Sequence, residues 1–289
     1  MGEVDVVKIP RAVRLRLGRA AVQTLADSAG ADLLHIKGDA VDLSLRPAAD
    51  PGSDIDVLTR PAHVAALDAV LRAHGWQLYS TFHSGSPFGH AQTYIHDIWG
   101  YLDLHRSFPG IRCDADRAFT VMSAGGGVVE FGGVPCAVPH VTAQALILIL
   151  NSARSPARGA RDLAAAWNDA SLDHRGAIAA LVVDLDCPVA FAAATGRLDD
   201  HQHERDYLLW KTVTEGGSRA AEWWGRVRAQ PTLMGSLRTA ARATLVNSDR
   251  LGHVLGRPPT RREVVREFFA RPERAIAELW HAARDRSRS

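Results

Sequence analysis

The sequence predicts an α/β protein of the α+β kind: a mixed, twisted sheet with flanking helices, followed by an all-helical C-terminal domain. Two observations carry this. As far as Pro139, short apolar runs bounded by Gly and Pro alternate with helical spacings. Beyond Pro139, every apolar pattern has helical spacing. The 289 residues exceed a common domain size, so a division into 1–140 and 141–289 is expected.

Val13, Leu17, Ala20, Ala21 and Leu25 recur at helical spacing and Gly30 offers a stop, which makes an opening helix. Leu33-Leu34-His35-Ile36 is a buried strand, ended by Lys37-Gly38. Ala40 to Leu45 is expected to make a helical turn or two, and Arg46 to Gly52, with two Pro and a Gly, a loop. Asp54 to Thr59 is a strand. Pro61 opens a helix carrying Val64, Leu67, Val70 and Leu71 and closed by Gly75. Trp76–Phe82, Gln92–Ile98 and Gly100–Arg106 alternate as strands. Val128–Phe131 and Val134–Val138 form a hairpin about Gly132-Gly133. Nine helices are then expected: 142–152, 162–170, 176–185, 188–195, 200–214, 219–228, 233–245, 261–270 and 273–284.

Composition is that of an ordinary globular chain, 46% apolar and 23% charged, with a net charge of +2. No global field demands nucleic acid, although Arg250–Ser289 carries ten Arg against five Asp or Glu and leaves room for RNA. Three scattered cysteines, Cys113, Cys136 and Cys187, argue against a zinc ribbon or a disulfide framework and fit a reducing compartment. The first residues lack a basic-then-apolar signal pattern, and the longest apolar run, Ala145–Leu150, is far short of a membrane span. A cytoplasmic protein with no membrane partner is expected. Only three residues are Lys, so Lys37 stands out.

The chemistry begins at Asp54-Ile55-Asp56. Residues two apart on a strand share a face, so both carboxylates point one way while Ile55 and Val57 point into the body. Adjacent acids repel and resist burial. A hard divalent cation, Mg2+ or Mn2+, relieves both problems. Asp103, on a later strand with Tyr101 and His105 on its face, can join them. Three carboxylates from neighbouring strands suit two divalent cations, one against a nucleotide triphosphate and one against an attacking hydroxyl. Asp103 can also take that hydroxyl's proton. Lys37-Gly38 ends a strand where backbone N–H groups and a point charge would meet a phosphate. The Walker A spacing is missing.

Leu33 to Ala40, a loop of about a dozen residues, and Ser53-Asp54-Ile55-Asp56-Val57-Leu58 together resemble the nucleotidyltransferase superfamily, the polymerase-β-like fold. Arg60-Pro61, Leu71-Arg72-Ala73-His74-Gly75-Trp76 and Tyr101-Leu102-Asp103-Leu104-His105 extend the resemblance to its bacterial family of uncharacterised nucleotidyltransferases, over roughly Leu33 to Pro139. The resemblance implies a nucleotidyltransferase-type sheet. It makes Asp54, Asp56 and Asp103 the catalytic metal ligands, and Lys37, Gly38, Ser53 and Arg46 the nucleotide-side residues. It implies transfer of a nucleoside monophosphate from an NTP to a hydroxyl-bearing acceptor, with pyrophosphate released. A small molecule, a peptide or protein, or a tRNA end would serve as acceptor, shaped by the helical domain. Two departures stand out. The superfamily has Gly-Ser where this chain has Lys37-Gly38, followed here by the acidic Asp39. The family's Arg four residues before the first Asp is replaced by Asp50, with Arg46 the nearest upstream.

Two alternatives come from other classes. His83, His90, His96 and His105, with His96 and His105 on adjacent strands beside Asp103, would make a metallohydrolase site. A non-catalytic nucleotide-binding module of the same fold would explain Asp39 and the missing Ser. Ser84-Gly85-Ser86 is a turn and no nucleophile elbow. Arg158 and Arg161 would reach triphosphate or acceptor if the helical half packs over the cleft, but a solvated helix surface is the favoured reading. At least one of the adjacent Trp223 and Trp224 is expected in the core.

Overall fold

Strand alternation and one long apolar helix decide this architecture. The computed structural model describes residues 9–46, 52–82, 86–243, 255, 259–266 and 270. In chain order the elements are α1 Arg11–Ser28, β1 Leu33–Ile36, β2 Ile55–Thr59, α2 Val64–Ala73, β3 Gln77–Ser80, β4 Ala91–His96, β5 Gly100–His105 and α3 Ala115–Ser123. The hairpin β6 Gly127–Phe131 and β7 Val134–Val138 follows. The chain continues with α4 Val141–Arg154, α5 Pro156–Leu163, α6 Leu172–Asp184, α7 Pro188–Ala194, α8 Tyr207–Glu215, α9 Arg219–Arg228 and α10 Leu233–Ala243. The helix expected over 261–270 is helical at 261–266, and the one over 273–284 lies outside the described residues.

The main sheet has the order β1-β2-β5-β4-β3. Only β2 and β5 run parallel; the other neighbours are antiparallel, so the sheet is mixed as expected. The two faces have different covers. Ile55, Val57, Leu102 and Leu104 pack with Leu15, Val22 and Ala26 of α1 and Leu67 and Leu71 of α2. Each such fully buried Leu contributes about 2 kcal/mol of transfer free energy. Leu34, Ile36 and Leu58 face the other way, into a core with α3, α4, α6, α7 and α8. Alternation puts Asp54, Asp56 and Leu58 on that second face. The acids therefore look toward the C-terminal helices. Helix α4 is buried nearly all round, from Ala143 to Leu150, which explains its unbroken apolar run.

Several elements differ from expectation: the helix expected over 162–170 begins at Pro156 and passes into a π-helical turn over Ala164–Asn168, and the one expected over 200–214 spans Tyr207–Glu215 after a 3-10 turn at Leu198–His201. The buried stripe of α1 is Leu15, Arg19, Val22 and Ala26, while Val13 and Leu17 are exposed. An Arg and Gln23 on the inner face masked the true period. The helical turns expected at 40–45 are a 3-10 turn over Gly38–Ala40 and one further turn in which the Leu45 and Arg46 amides donate to the Asp42 carbonyl. Helix α3 was not expected, although Asp114 caps it by accepting from the Asp116 and Arg117 amides, and Ala118, Phe119 and Met122 face inward. Trp223 is half-buried against the Arg226 guanidinium and Trp224 is exposed, so neither joins the core. Among the described residues, no helix is long and apolar enough to cross a membrane.

Candidate active site

Register brings the acids together. On the parallel pair, Asp56 of β2 stands opposite Asp103 of β5. His105 lies two residues on from Asp103, on the same face. One ligand atom from each of Asp56, Asp103 and His105 lies within 4.8 Å of the others. Asp54 sits just before β2 and is half-buried. Burial, then repulsion from Asp56 and Asp103, raises its carboxyl to about 6.

Asp56 is the most enclosed of the three acids. Burial alone would raise its pKa, but Lys37 and His105 outweigh this and hold it well below the usual carboxylate range. Lys37 Nζ lies 2.5 Å from Asp56 Oδ1, and His105 Nε2 donates to the same oxygen at 2.9 Å. Burial holds His105 below its ordinary value, against the hydrogen bond to Asp56, so the imidazole is neutral with its proton on Nε2. Asp103 accepts a hydrogen bond from Thr93 Oγ1 at 2.6 Å, from the paired position on β4. That bond fixes one carboxylate oxygen.

Lys37 has φ 56 and ψ −174, a backbone region used almost only by glycine. Such a conformation costs on the order of 1–3 kcal/mol and persists only where its surroundings impose it. Arg19 of α1 is part of what imposes it. Its side chain is fully buried, and its guanidinium donates to the Lys37 carbonyl at 3.2 Å and to the Asp56 carbonyl at 3.5 Å. Close approach of α1 makes this reach possible. A Cβ on Gly18 would sit 2.6 Å from Ile55 Cδ1. The ring of Phe131 lies 5.6 Å from the Arg19 guanidinium carbon. Burial lowers the Arg19 pKa, while Asp56, Asp39 and Asp54 raise it, so a guanidinium remains charged behind the acids.

The other nucleotide-side residues are spread out. Gly38 begins the 3-10 turn after Lys37. Ser53 Oγ donates to Asp54 Oδ1 at 3.0 Å. Arg46 makes a two-bond pair with Asp162 of α5, at 3.1 and 2.6 Å, so any phosphate would have to displace that partner. Asp39 is neutralised by Arg16 of α1 at 2.8 Å. Among the C-terminal arginines, Arg161 is exposed. Arg154, at the end of α4, faces the acids instead. Burial lowers its pKa and Asp56 and Asp103 raise it. Its guanidinium lies 5.9 Å from the Phe88 ring and makes no salt bridge among the described residues.

The histidines divide. His96 pairs with Gly100 while His105 pairs with Ala91, at opposite ends of the β4–β5 ladder and about 17 Å apart along the strand. The shared His96/His105 metal site is therefore not formed. His96 packs on Trp76 and accepts from the Ile98 amide. His90 packs at a tilt against His105, with ring centroids 5.0 Å apart. His83, Ser84 and Gly85 lie outside the described residues. Burial pushes the Cys136 thiol up to about 11 and, with Cys113 and Asp186 adding, Cys187 up to about 12, which suits inert packing.

Sequence reasoning missed Arg19, Thr93 and Arg154. Only Thr93 carried a signal, as a polar residue on a strand adjoining the Asp103 strand.

No family model and no curated protein sequence matches this chain. Among solved structures it is similar to the antibiotic-resistance factor ANT(2'')-Ia, with a TM-score of 0.36 and 15% identity over 66% of this chain and 95% of that one. It is also similar to an antigenic nucleotidyltransferase-like protein from Paracoccidioides brasiliensis, with a TM-score of 0.37 and 17% identity over 64% and 94%. Both TM-scores lie below 0.5, too low for either likeness to bear on what this chain does.

Proposed function

We propose that this chain is a metal-dependent nucleotidyltransferase that moves a nucleoside monophosphate from an NTP to a hydroxyl-bearing acceptor, releasing pyrophosphate. The observation that carries the proposal is the Asp56–Asp103 register across two parallel strands, with the Asp54 carboxyl raised to about 6 by burial and then by the other two acids. Carboxylates of this number and crowding form a hard-oxygen donor set that fits Mg2+ or Mn2+. Asp54, Asp56 and Asp103 would hold the metal. When bound, it would polarise the α-phosphate and the acceptor oxygen and neutralise charge as the phosphoryl group transfers.

The chain's own residues account for the rest. Lys37 leaves Asp56 Oδ1 for a phosphate oxygen of the NTP, which exchanges one ion pair for another. Gly38 offers its amide beside it, with Ser53 and a released Arg46 as further donors. Arg154 faces the cleft from α4 as a cation with no carboxylate bond among the described residues, placed to meet the β- or γ-phosphate. Asp103, with one oxygen fixed by Thr93, takes the acceptor proton on the other. His105 stays neutral and orients Asp56. Residues 141–289 form the acceptor side.

A pyrophosphate-release assay with all four NTPs, Mg2+ or Mn2+, and pooled small-molecule, peptide and tRNA acceptors tests this. Asp54→Ala and Asp56→Ala should each abolish release, and release untouched by both would sink the proposed site. The presence of His105 in the acid cluster favours one rival, a metallohydrolase. That rival predicts turnover of a hydrolysable substrate with no NTP present.

A further inference from the structure

Two tyrosines flank the acids on the side away from Lys37. Tyr101 precedes Leu102 of β5, and Leu102 pairs with Ile55, so Tyr101 stands level with Asp54. It is two residues from Asp103 and shares its face, about 7 Å away along the strand. Although large and aromatic, it is 41% exposed. Tyr79 reaches the same place through a fault in the ladder. Leu78 pairs with Tyr94 and Ser80 with Thr93, which makes Tyr79 an extra residue at a register shift in β3. Bulges of this kind re-aim a side chain. Here the Tyr79 ring meets the Tyr101 ring at 85°, with centroids 5.5 Å apart. Ile95, opposite Tyr101 on β4 and half-buried, extends an apolar floor between the strands.

The chemistry of transfer decides which substrate meets this shelf. Lys37 and Gly38 follow Ile36, which pairs with Asp56 from the β1 side. The sheet order β1-β2-β5-β4-β3 therefore puts the phosphate-side residues on one flank of the acids and the two tyrosines on the other. The acceptor oxygen bonds to the α-phosphorus as the bond to the pyrophosphate oxygen breaks, and the two oxygens lie in line on opposite sides of phosphorus. The electron pair of the breaking bond leaves with pyrophosphate, and the acceptor proton goes to Asp103. With pyrophosphate drawn toward Lys37 and Gly38, the acceptor enters over Tyr101 and Tyr79. The nucleoside hangs from an equatorial oxygen, off that axis.

We infer, resting on the nucleotidyltransferase reading, that Tyr79 and Tyr101 bind the acceptor and that the acceptor is a small aromatic alcohol. Perpendicular rings form a corner that takes a guest ring by its face on one side and by its edge on the other. The separation of about 7 Å between Tyr101 and Asp103 sets the span from that ring to the reacting hydroxyl, roughly the reach of a three-carbon chain. The shelf is the sheet's share of the acceptor side.

The test is fluorine NMR on the full chain labelled with 3-fluorotyrosine. The chain has four tyrosines, and Tyr94 and Tyr207 are buried, so the shelf pair reports separately. Without metal or NTP, 3-phenylpropan-1-ol should shift the Tyr79 and Tyr101 signals saturably and leave the other two in place, and propan-1-ol should shift none. Tyr101→Ala, at an exposed position, should weaken that binding at least fivefold, read on Tyr79. With Mg2+ and NTP, the same variant should raise the KM for the alcohol at least tenfold and the KM for NTP less than twofold. No saturable shift at either shelf tyrosine, or equal shifts with propan-1-ol, would overturn the inference. An NTP KM that rises as much as the alcohol's would also overturn it and make the shelf a nucleobase platform. Saturable binding at both tyrosines with no pyrophosphate release would instead sink nucleotidyl transfer and leave the aromatic-alcohol site standing.

Discussion

Replacing Asp54 with Asn should stabilise the metal-free protein, although it removes a proposed metal ligand. Burial and the charges of Asp56 and Asp103 raise the Asp54 carboxyl from 3.8 to about 6. The folded state thus favours the protonated acid. Between pH 4 and 6 it binds more protons than the unfolded chain, so stability falls as pH rises through that window and levels off above it. At about 1.4 kcal/mol per pH unit, the difference sets a ceiling of roughly 3 kcal/mol on the cost of an ionised Asp54 at pH 8. Asn has nearly the same shape and never ionises. Urea denaturation in EDTA should give Asp54→Asn an advantage of up to about 3 kcal/mol at pH 8 and about half that at pH 5. Saturating Mn2+ should reverse the order, because only the wild type gains the full binding free energy. A variant less stable than wild type at pH 8 in EDTA, or an advantage that does not shrink at pH 5, would refute the electrostatic account of this face.

Other consequences follow from single contacts. Lys37→Met strands a buried carboxylate, because Lys37 and Asp56 side chains are 17% and 6% exposed. The cost should be about 3–5 kcal/mol without metal, and Mn2+ should recover most of it, as thermal melts with and without metal would show. Arg19→Met leaves the Lys37 and Asp56 carbonyls without their guanidinium and should cost about 1–3 kcal/mol in urea denaturation. Thr93→Val keeps the shape but frees Asp103 Oδ1, so Mn2+ affinity by electron paramagnetic resonance should fall roughly tenfold or more while the melting temperature stays near wild type.

The sheet was legible because its strands carry a two-residue period with Gly and Pro at their ends, and the acids were legible because Asp54, Asp56 and Asp103 interrupt that period on one face. What the sequence hid is how the acids are held. Arg19 looks like a solvated helix residue until α1 is packed across the sheet. The Arg19 and Gln23 pair also erased the apolar stripe that would have set the helix's true face. Arg154 and Arg161 are indistinguishable as letters, and only the path of α4 beneath the sheet turns Arg154 toward the acids. Likewise, His96 and His105 fall on adjacent strands in either arrangement. It is the antiparallel register that puts them at opposite ends. Helix α3 was readable from Asp114 and the Ala118, Phe119 and Met122 spacing, but it is short and its signal is local.

The most direct test of the metal-dependent account is a crystal of the chain grown with Mn2+ and a non-hydrolysable ATP analogue, with anomalous scattering recorded at the manganese edge. The account predicts a peak bridging Asp56 and Asp103, with Asp54 in its coordination sphere and Lys37 Nζ moved from Asp56 onto a phosphate oxygen. A peak held by His90 and His105, or none at the acids with Lys37 still bound to Asp56, would contradict it.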